Sequence, residues 1–78
     1  MKREKGTITT KICFKIKFER MKRNLSQEDL ALAAGISRNG LSNIESGKAS
    51  PTIDTLEKIA NALGIAFLDL VDVSKVDL

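Results

Sequence analysis

The sequence predicts an all-α domain assembled from several short helices, and three observations lead there. The 78 residues hold three Phe and neither Trp nor Tyr, so the interior must be built from Leu, Ile, Val and Ala, a palette that suits packed helices. From Ser26 onward, apolar residues recur at helical spacing, in stretches separated by strong punctuation at Gly35, at Gly47-Lys48-Ala49-Ser50-Pro51 and at Gly64. Each of those stretches is preceded by a hydroxyl residue able to cap a helix: Ser26, Ser37 or Thr52.

The first helix has the weakest local signature. Positions 8, 10, 12, 14, 16 and 18 are Ile, Thr, Ile, Phe, Ile and Phe, which taken alone is the alternation of a strand. Read as a helix, the same segment places Ile12, Ile16 and Arg20 on one face and Phe14, Phe18 and Met21 on another. The helical reading is preferred, from about Lys11 to Arg23, with Asn24 adopting the left-handed conformation that ends it. Residues 1–10 then form a basic segment, flexible or extended.

The second helix is expected over Gln27 to Ala34, with Ser26 accepting from the Asp29 backbone and Asp29 reaching back toward Ser26. Leu30, Ala31 and Ala34 form its buried side, and Gly35 supplies the turn. The third runs from Arg38 to about Ser46 behind the Ser37 cap, turning Leu41 and Ile44 inward. The fourth starts after Pro51 with Thr52 as cap and Asp54 placed favourably against the helix dipole. It is expected to bury Ile53, Leu56, Ile59, Ala60 and Leu63, and to end at Gly64. A last short helix, Phe67 to Val71, adds Ile65, Phe67, Leu70 and Val71 to the core and leaves residues 73–78 as a short tail. The folded domain thus spans residues 11–72.

Composition narrows the chemistry. The length allows one domain with one modest core, often marginally stable alone. With no His and a single Cys, the chain cannot form an internal disulfide, a Cys/His zinc site or a nucleophile-histidine pair; no enzyme, metal or cofactor is expected. Cys13 lies in an apolar stretch and reads as a packing residue. The N-terminus lacks the apolar core of a secretory signal and no stretch approaches the length of a membrane span, so no membrane partner is expected and the cytoplasm is the expected location. The net charge of +3 is unevenly spread: residues 1–25 carry nine Lys or Arg against Glu4 and Glu19, a local +7, which leaves −4 for the remainder. Such asymmetry fits a phosphate-facing N-terminal region or a solubilising basic tail.

The unit from Ser26 to Glu45 is a helix of about two turns, a Gly-containing turn and a second helix whose outer face is polar but mostly uncharged. Arg38, Asn39, Ser42, Asn43 and Ser46 fall on that face. In the DNA major groove Arg donates twice to guanine, Asn pairs with adenine and Ser donates or accepts, whereas an ordinary solvated helix more often carries Glu and Lys four residues apart.

At this point the chain resembles a known family. Leu25-Ser-Gln-Glu-Asp-Leu-Ala31, Gly35-Ile-Ser-Arg38, Leu41-Ser-Asn-Ile-Glu-Ser-Gly-Lys48 and Pro51-Thr-Ile-Asp-Thr-Leu56 through Ala62-Leu-Gly-Ile65 are similar, in order and spacing, to the phage repressor and Cro-like (XRE) helix-turn-helix family, over about residues 12–71. The resemblance implies a compact five-helix bundle, the lambda repressor-like DNA-binding domain, acting as a homodimer on a pseudo-palindromic operator in double-stranded DNA. It implies base-reading or groove-facing roles for Arg38, Asn39, Ser42 and Asn43. It implies phosphate contacts from Gln27 and from a loop made by Ser46, the backbone around Gly47 and the Lys48 side chain, where an ordinary helix C-cap is a compatible reading. Arg20 and Glu45 match a family pair joining the first helix to the end of the reader helix.

Two departures from the family pattern stand out. Gly40 sits inside the reader helix, which fits either close approach to a base or sugar or a helix that starts late or frays. Ala66 replaces the usual Ser or Thr cap of the last helix. Phe14, Phe18, Phe67 and Leu68 offer more large apolar surface than one small core needs; they cover the N-terminal segment or the tail, or they form a dimer or partner surface, self-association being favoured. Two functions remain: a transcriptional regulator, expected to repress, and an antitoxin-like module holding a protein partner such as a toxin. No ligand-sensing second domain is expected.

Overall fold

The computed structural model describes residues 7–76, which form five helices and no strand: α1 (Ile8–Lys22), α2 (Gln27–Ala34), α3 (Arg38–Glu45), α4 (Ile53–Leu63) and α5 (Phe67–Val71). The five-helix, all-α expectation is met. Each helix contributes one fully buried large side chain to a common centre: Ile16, Leu30, Leu41, Ile59 and Leu70 in chain order. Around them close Ile12, Cys13, Ala31, Ala34, Ile44, Leu56, Ala60 and Leu63. Two of the bordering residues are the small Ala31 and Ala60, whose size lets backbones approach where α2 packs on α4.

The caps that punctuate the sequence are built as expected. Ser26 accepts from the Asp29 amide at 2.9 Å while the Asp29 carboxylate accepts from the Ser26 amide at 3.0 Å. This reciprocal capping box holds the Asp29 carboxyl below its ordinary pKa. Ser37 and Thr52 cap α3 and α4 one way only, each hydroxyl accepting from the amide three residues on. Gly35 and Gly64 end α2 and α4 at φ +73° and +75°, values that cost a side-chain-bearing residue strain. Asn24, at φ 57°, does the same after α1.

Two expectations need correction. The segment 7–10 is not extended beyond Thr7: α1 begins at Ile8, and Thr7 caps it by accepting from the Thr10 amide at 3.2 Å. The alternation that resembled a strand is produced by a helix with apolar residues on two sides, since Ile12 and Ile16 are buried while Phe14 and Phe18 face outward. The remaining expectation for the N-terminus, on residues 1–6, lies outside the described residues. Ile53 is not part of the core. It is 69% exposed in the first turn of α4, and the covered stripe of that helix begins at Leu56.

The C-terminal segment is more than a tail. Val73 packs against the core, the Val76 amide donates to the Val73 carbonyl at 3.1 Å, and the Lys15 ammonium donates to the carbonyls of Asp69 and Asp72, the latter at 2.9 Å. A cation at the C-terminal end of α5 meets unsatisfied carbonyls and the negative end of the helix dipole. Phe67 likewise packs at the edge of the core, half-buried, and leaves Leu68 as the exposed large apolar residue of α5. Cys13 is 3% exposed, and burial pushes its thiol pKa up, as suits a packing residue.

Candidate nucleic-acid interface

The geometry of α3 follows from its period. Leu41 and Ile44 point into the core, so Arg38, Asn39, Ser42 and Asn43, at i, i+1, i+4 and i+5, share the opposite side. Arg38, Asn39 and Asn43 are exposed and Ser42 is partly so. Among the described residues none of the four side chains donates or accepts a hydrogen bond, which leaves their donors and acceptors available to another molecule. The unit that presents them is rigid at its entrance: Ser37 accepts from the Gly40 amide at 2.9 Å.

Gly40 is therefore neither a late start nor a frayed turn, because the helix is regular from Arg38 and Gly40 sits on the cap. A Cβ built there would lie 3.0 Å from the Ser37 hydroxyl, close enough that the hydroxyl would shift by a few tenths of an ångström. The equivalent position of α2 carries Asp29 and keeps its cap, so the crowding is tolerable.

Arg20 and Glu45 lie where the resemblance puts them. The Arg20 guanidinium donates through Nε to Glu45 Oε2 at 2.8 Å and through Nη2 to Oε1 at 3.0 Å, a two-bond fork, while Nη1 donates to the Leu25 carbonyl at 2.7 Å. The side chains are 11% and 2% exposed. One cation thus ties together α1, the connection into α2 and the end of α3, with a planar bidentate geometry that Lys could not reproduce. It also neutralises the only carboxylate of the reader helix, so that no free anion on α3 opposes a phosphate backbone.

Gln27 carries a contact that the sequence did not announce. Its Nε2 donates to Glu45 Oε1 at 3.1 Å, placing the first side chain of α2 against the end of α3. The amide has a second N–H, and the backbone N–H groups of Gln27 and Glu28, in the first turn of α2, have no carbonyl to receive them within the helix. The sequence places the Gln at the helix start; only the folded chain brings Glu45 to it.

The turn after α3 is closed by its own backbone. The amides of Ser46, Gly47, Lys48 and Ala49 donate to Ser42, Ile44, Asn43 and Asn43 carbonyls respectively, the Ser46 hydroxyl bonds the Asn43 carbonyl at 3.2 Å, and Gly47 sits at φ +82°. Of the two compatible readings of this loop, the geometry builds the helix C-cap. The Gly47 amide is engaged internally, and the exposed Lys48 side chain is the donor that the turn presents outward.

Among the described residues there is no group of His, Cys, Asp and Glu that could hold a metal, and no helix is long and apolar enough to cross a membrane.

Comparison with known proteins agrees with this arrangement. The helix-turn-helix family model matches residues 16–70, more than half of the chain. A transcriptional regulator of this type from Deinococcus deserti, DdrOP3, is 37% identical over 62 residues, covering 80% of this chain and 48% of that protein. The control protein C.BamHI of Bacillus amyloliquefaciens is 43% identical over 51 residues, covering 65% and 63%. The chain thus spans about half to two thirds of the length of these relatives. The crystal structure of the restriction-modification controller protein C.Esp1396I superposes with a TM-score of 0.77 at 30% identity, covering 86% of this chain and 91% of that one. Fold, cap positions, the buried Arg20–Glu45 pair and sequence matches converge: the chain belongs to the phage repressor and Cro-like (XRE) helix-turn-helix family of DNA-binding transcriptional regulators, a family of binding proteins and not of enzymes.

Proposed function

We propose that the chain represses transcription by binding a pseudo-palindromic operator as a homodimer, with α3 in the major groove. The observation that carries the reading is the outer side of α3. Four polar side chains with base-reading chemistry stand free there, and the carboxylate of the same helix is withdrawn into a buried pair with Arg20. In this reading Arg38, Asn39, Ser42 and Asn43 select the sequence. Gln27 and the N-terminal amides of α2 meet one phosphate, and Lys48, displayed by the Ser46-Gly47 turn, meets another. The Glu45 bond holds Gln27 in place for its contact.

In this reading the second copy packs on Leu68, 75% exposed on α5 and one of the residues that the sequence offers for self-association. Two copies related by a two-fold axis would set their reader helices about one helical turn of DNA apart. That some of the related proteins are named controllers or repressors supports a regulatory role of the same kind.

Selection from a pool of random duplexes, followed by titration at several salt concentrations, tests the proposal. A two-fold-related motif with half-sites about one turn apart and a steep salt dependence is expected. Equal affinity for every duplex would overturn it. Sedimentation of Leu68→Asp beside the unaltered chain tests the dimer, which should be weakened by the charge; an unchanged association constant would move the interface elsewhere.

A further inference from the structure

The outer side of α1 serves neither the core nor the proposed DNA face. Phe14, Phe18 and Met21 are 48%, 50% and 56% exposed, and their spacing of four and then three residues is that of a seam along which one helix packs lengthwise on another. An open groove of about 650 Å³ follows this seam, lined also by Lys17, Lys22 and Glu45. A second groove, of about 500 Å³, shares Phe14 and Phe18 and runs toward the end of α5.

The charges beside the seam decide what can occupy it. With Phe14, Phe18 and Met21 as the contact line, the flanking positions are Lys15, Lys17 and Lys22, those that face the partner's flanks in a helix pair. The carboxylates beside Lys17 and Lys22 are already matched, whereas Asp69 and Asp72, in no ion pair among the described residues, border the second groove on the Lys15 side. Glu45 is held by Arg20, and Glu19 accepts from Arg23 at 2.5 Å and shares Lys22 at 3.5 Å. Lys17 has no carboxylate within ion-pair distance among the described residues, and the Lys22 ammonium lies 5.5 Å from the centre of the Phe18 ring. A second copy docking through the same face would set Lys against Lys in either orientation, and residues 1–6, with Lys2, Arg3 and Lys5 against Glu4, carry the same sign. Like charges across a seam select against such partners. Bare duplex DNA offers the negative charge but nothing to cover two phenyl rings and a thioether.

We propose that this face of α1 docks an amphipathic helix of a different protein, apolar along one side and flanked by Asp or Glu. Such a helix would cover the rings and place its carboxylates over Lys17 and Lys22, leaving α3 free.

The test uses the full chain, isotopically labelled, and a synthetic helical peptide of about three heptads with Leu along its seam and Glu at its flanks. Saturable binding is expected, with amide shifts centred on Phe14, Lys17, Phe18, Met21 and Lys22. A peptide with Lys in place of the flanking Glu should bind at least about tenfold more weakly. Phe18→Ala should weaken the acidic peptide by about tenfold or more. The double variant Lys17→Glu, Lys22→Glu should invert the preference between the two peptides, and it keeps the test valid if Phe18→Ala lowers the melting temperature. The proposal is overturned by equal binding of the two peptides, by no binding, by shifts centred on α3 or α5, or by displacement of the peptide from α1 by duplex DNA. Loss of self-association in Phe14→Ala, Phe18→Ala would assign the face to a second copy and overturn it equally.

Discussion

Arg20 belongs by sequence to a cluster of basic residues and by structure to the interior. Removing it would leave the Glu45 carboxylate, 2% exposed, with only the Gln27 amide for a partner among the described residues, and would free the Leu25 carbonyl as well. Breaking one side of a buried pair costs about 3–5 kcal/mol, a large share of the stability of so small a domain. Arg20→Ala is therefore expected to lower the melting temperature steeply in the absence of DNA; a variant with unchanged melting and weakened DNA binding would show that Arg20 acts at the interface. Glu19 makes a pH-dependent contribution. The Arg23 hydrogen bond holds its carboxyl below the ordinary 4.5, with Lys22 acting in the same sense and burial opposing. A folded pKa below the unfolded one means that the stabilisation is complete above the ordinary carboxylate range and is lost as pH falls through the folded value. Melting measured in acid should accordingly fall more steeply for the unaltered chain than for Glu19→Gln, and parallel curves would contradict the assignment.

At the scale of the helix, capping and periodicity made most of the fold legible. The bounds of α2, α4 and α5 follow from Ser26 with Gly35, from Thr52 with Gly64, and from the apolar run after Ala66, because each is set by residues within a few positions of the helix end. The start of α1 was not legible. Thr7 is its cap, but the Ile-Thr-Ile-Phe-Ile-Phe alternation masks the helical period, since both the core-facing and outward stripes are apolar and Lys fills the positions between them. Ile53 was misplaced for a related reason: the period of α4 extends to it, whereas the packing that covers the helix starts one turn later. The one helix without a side-chain cap is α5, where Ala66 stands at the N-cap with extended backbone. Ala66→Ser restores an acceptor for the first turn and should stabilise by about 0.5–2 kcal/mol, read as a higher melting temperature and slower amide exchange in α5. No gain would mean that packing of Leu70 and Phe67 already holds that turn closed.

Taken as a whole molecule, the domain is a small frame that fixes two helix starts and one polar face relative to each other. The outward set on α3 was legible because Leu41 and Ile44 fix the rotation of the helix. The bond from Gln27 to Glu45 and the internal use of the Gly47 amide were not, since both depend on how separate turns meet in space. The split of labour within the proposed interface has distinct consequences. Lys48→Ala should weaken all duplexes by a similar factor and reduce the salt dependence, as loss of a phosphate contact does, whereas a sequence-dependent loss would make Lys48 a base reader. The central claim is that the outer side of α3 reads bases, and it is tested most directly by repeating the random-duplex selection with Arg38→Ala beside the unaltered chain. The account predicts a motif that loses its preference at one symmetry-related pair of positions and keeps the rest; an identical motif from both proteins would contradict it.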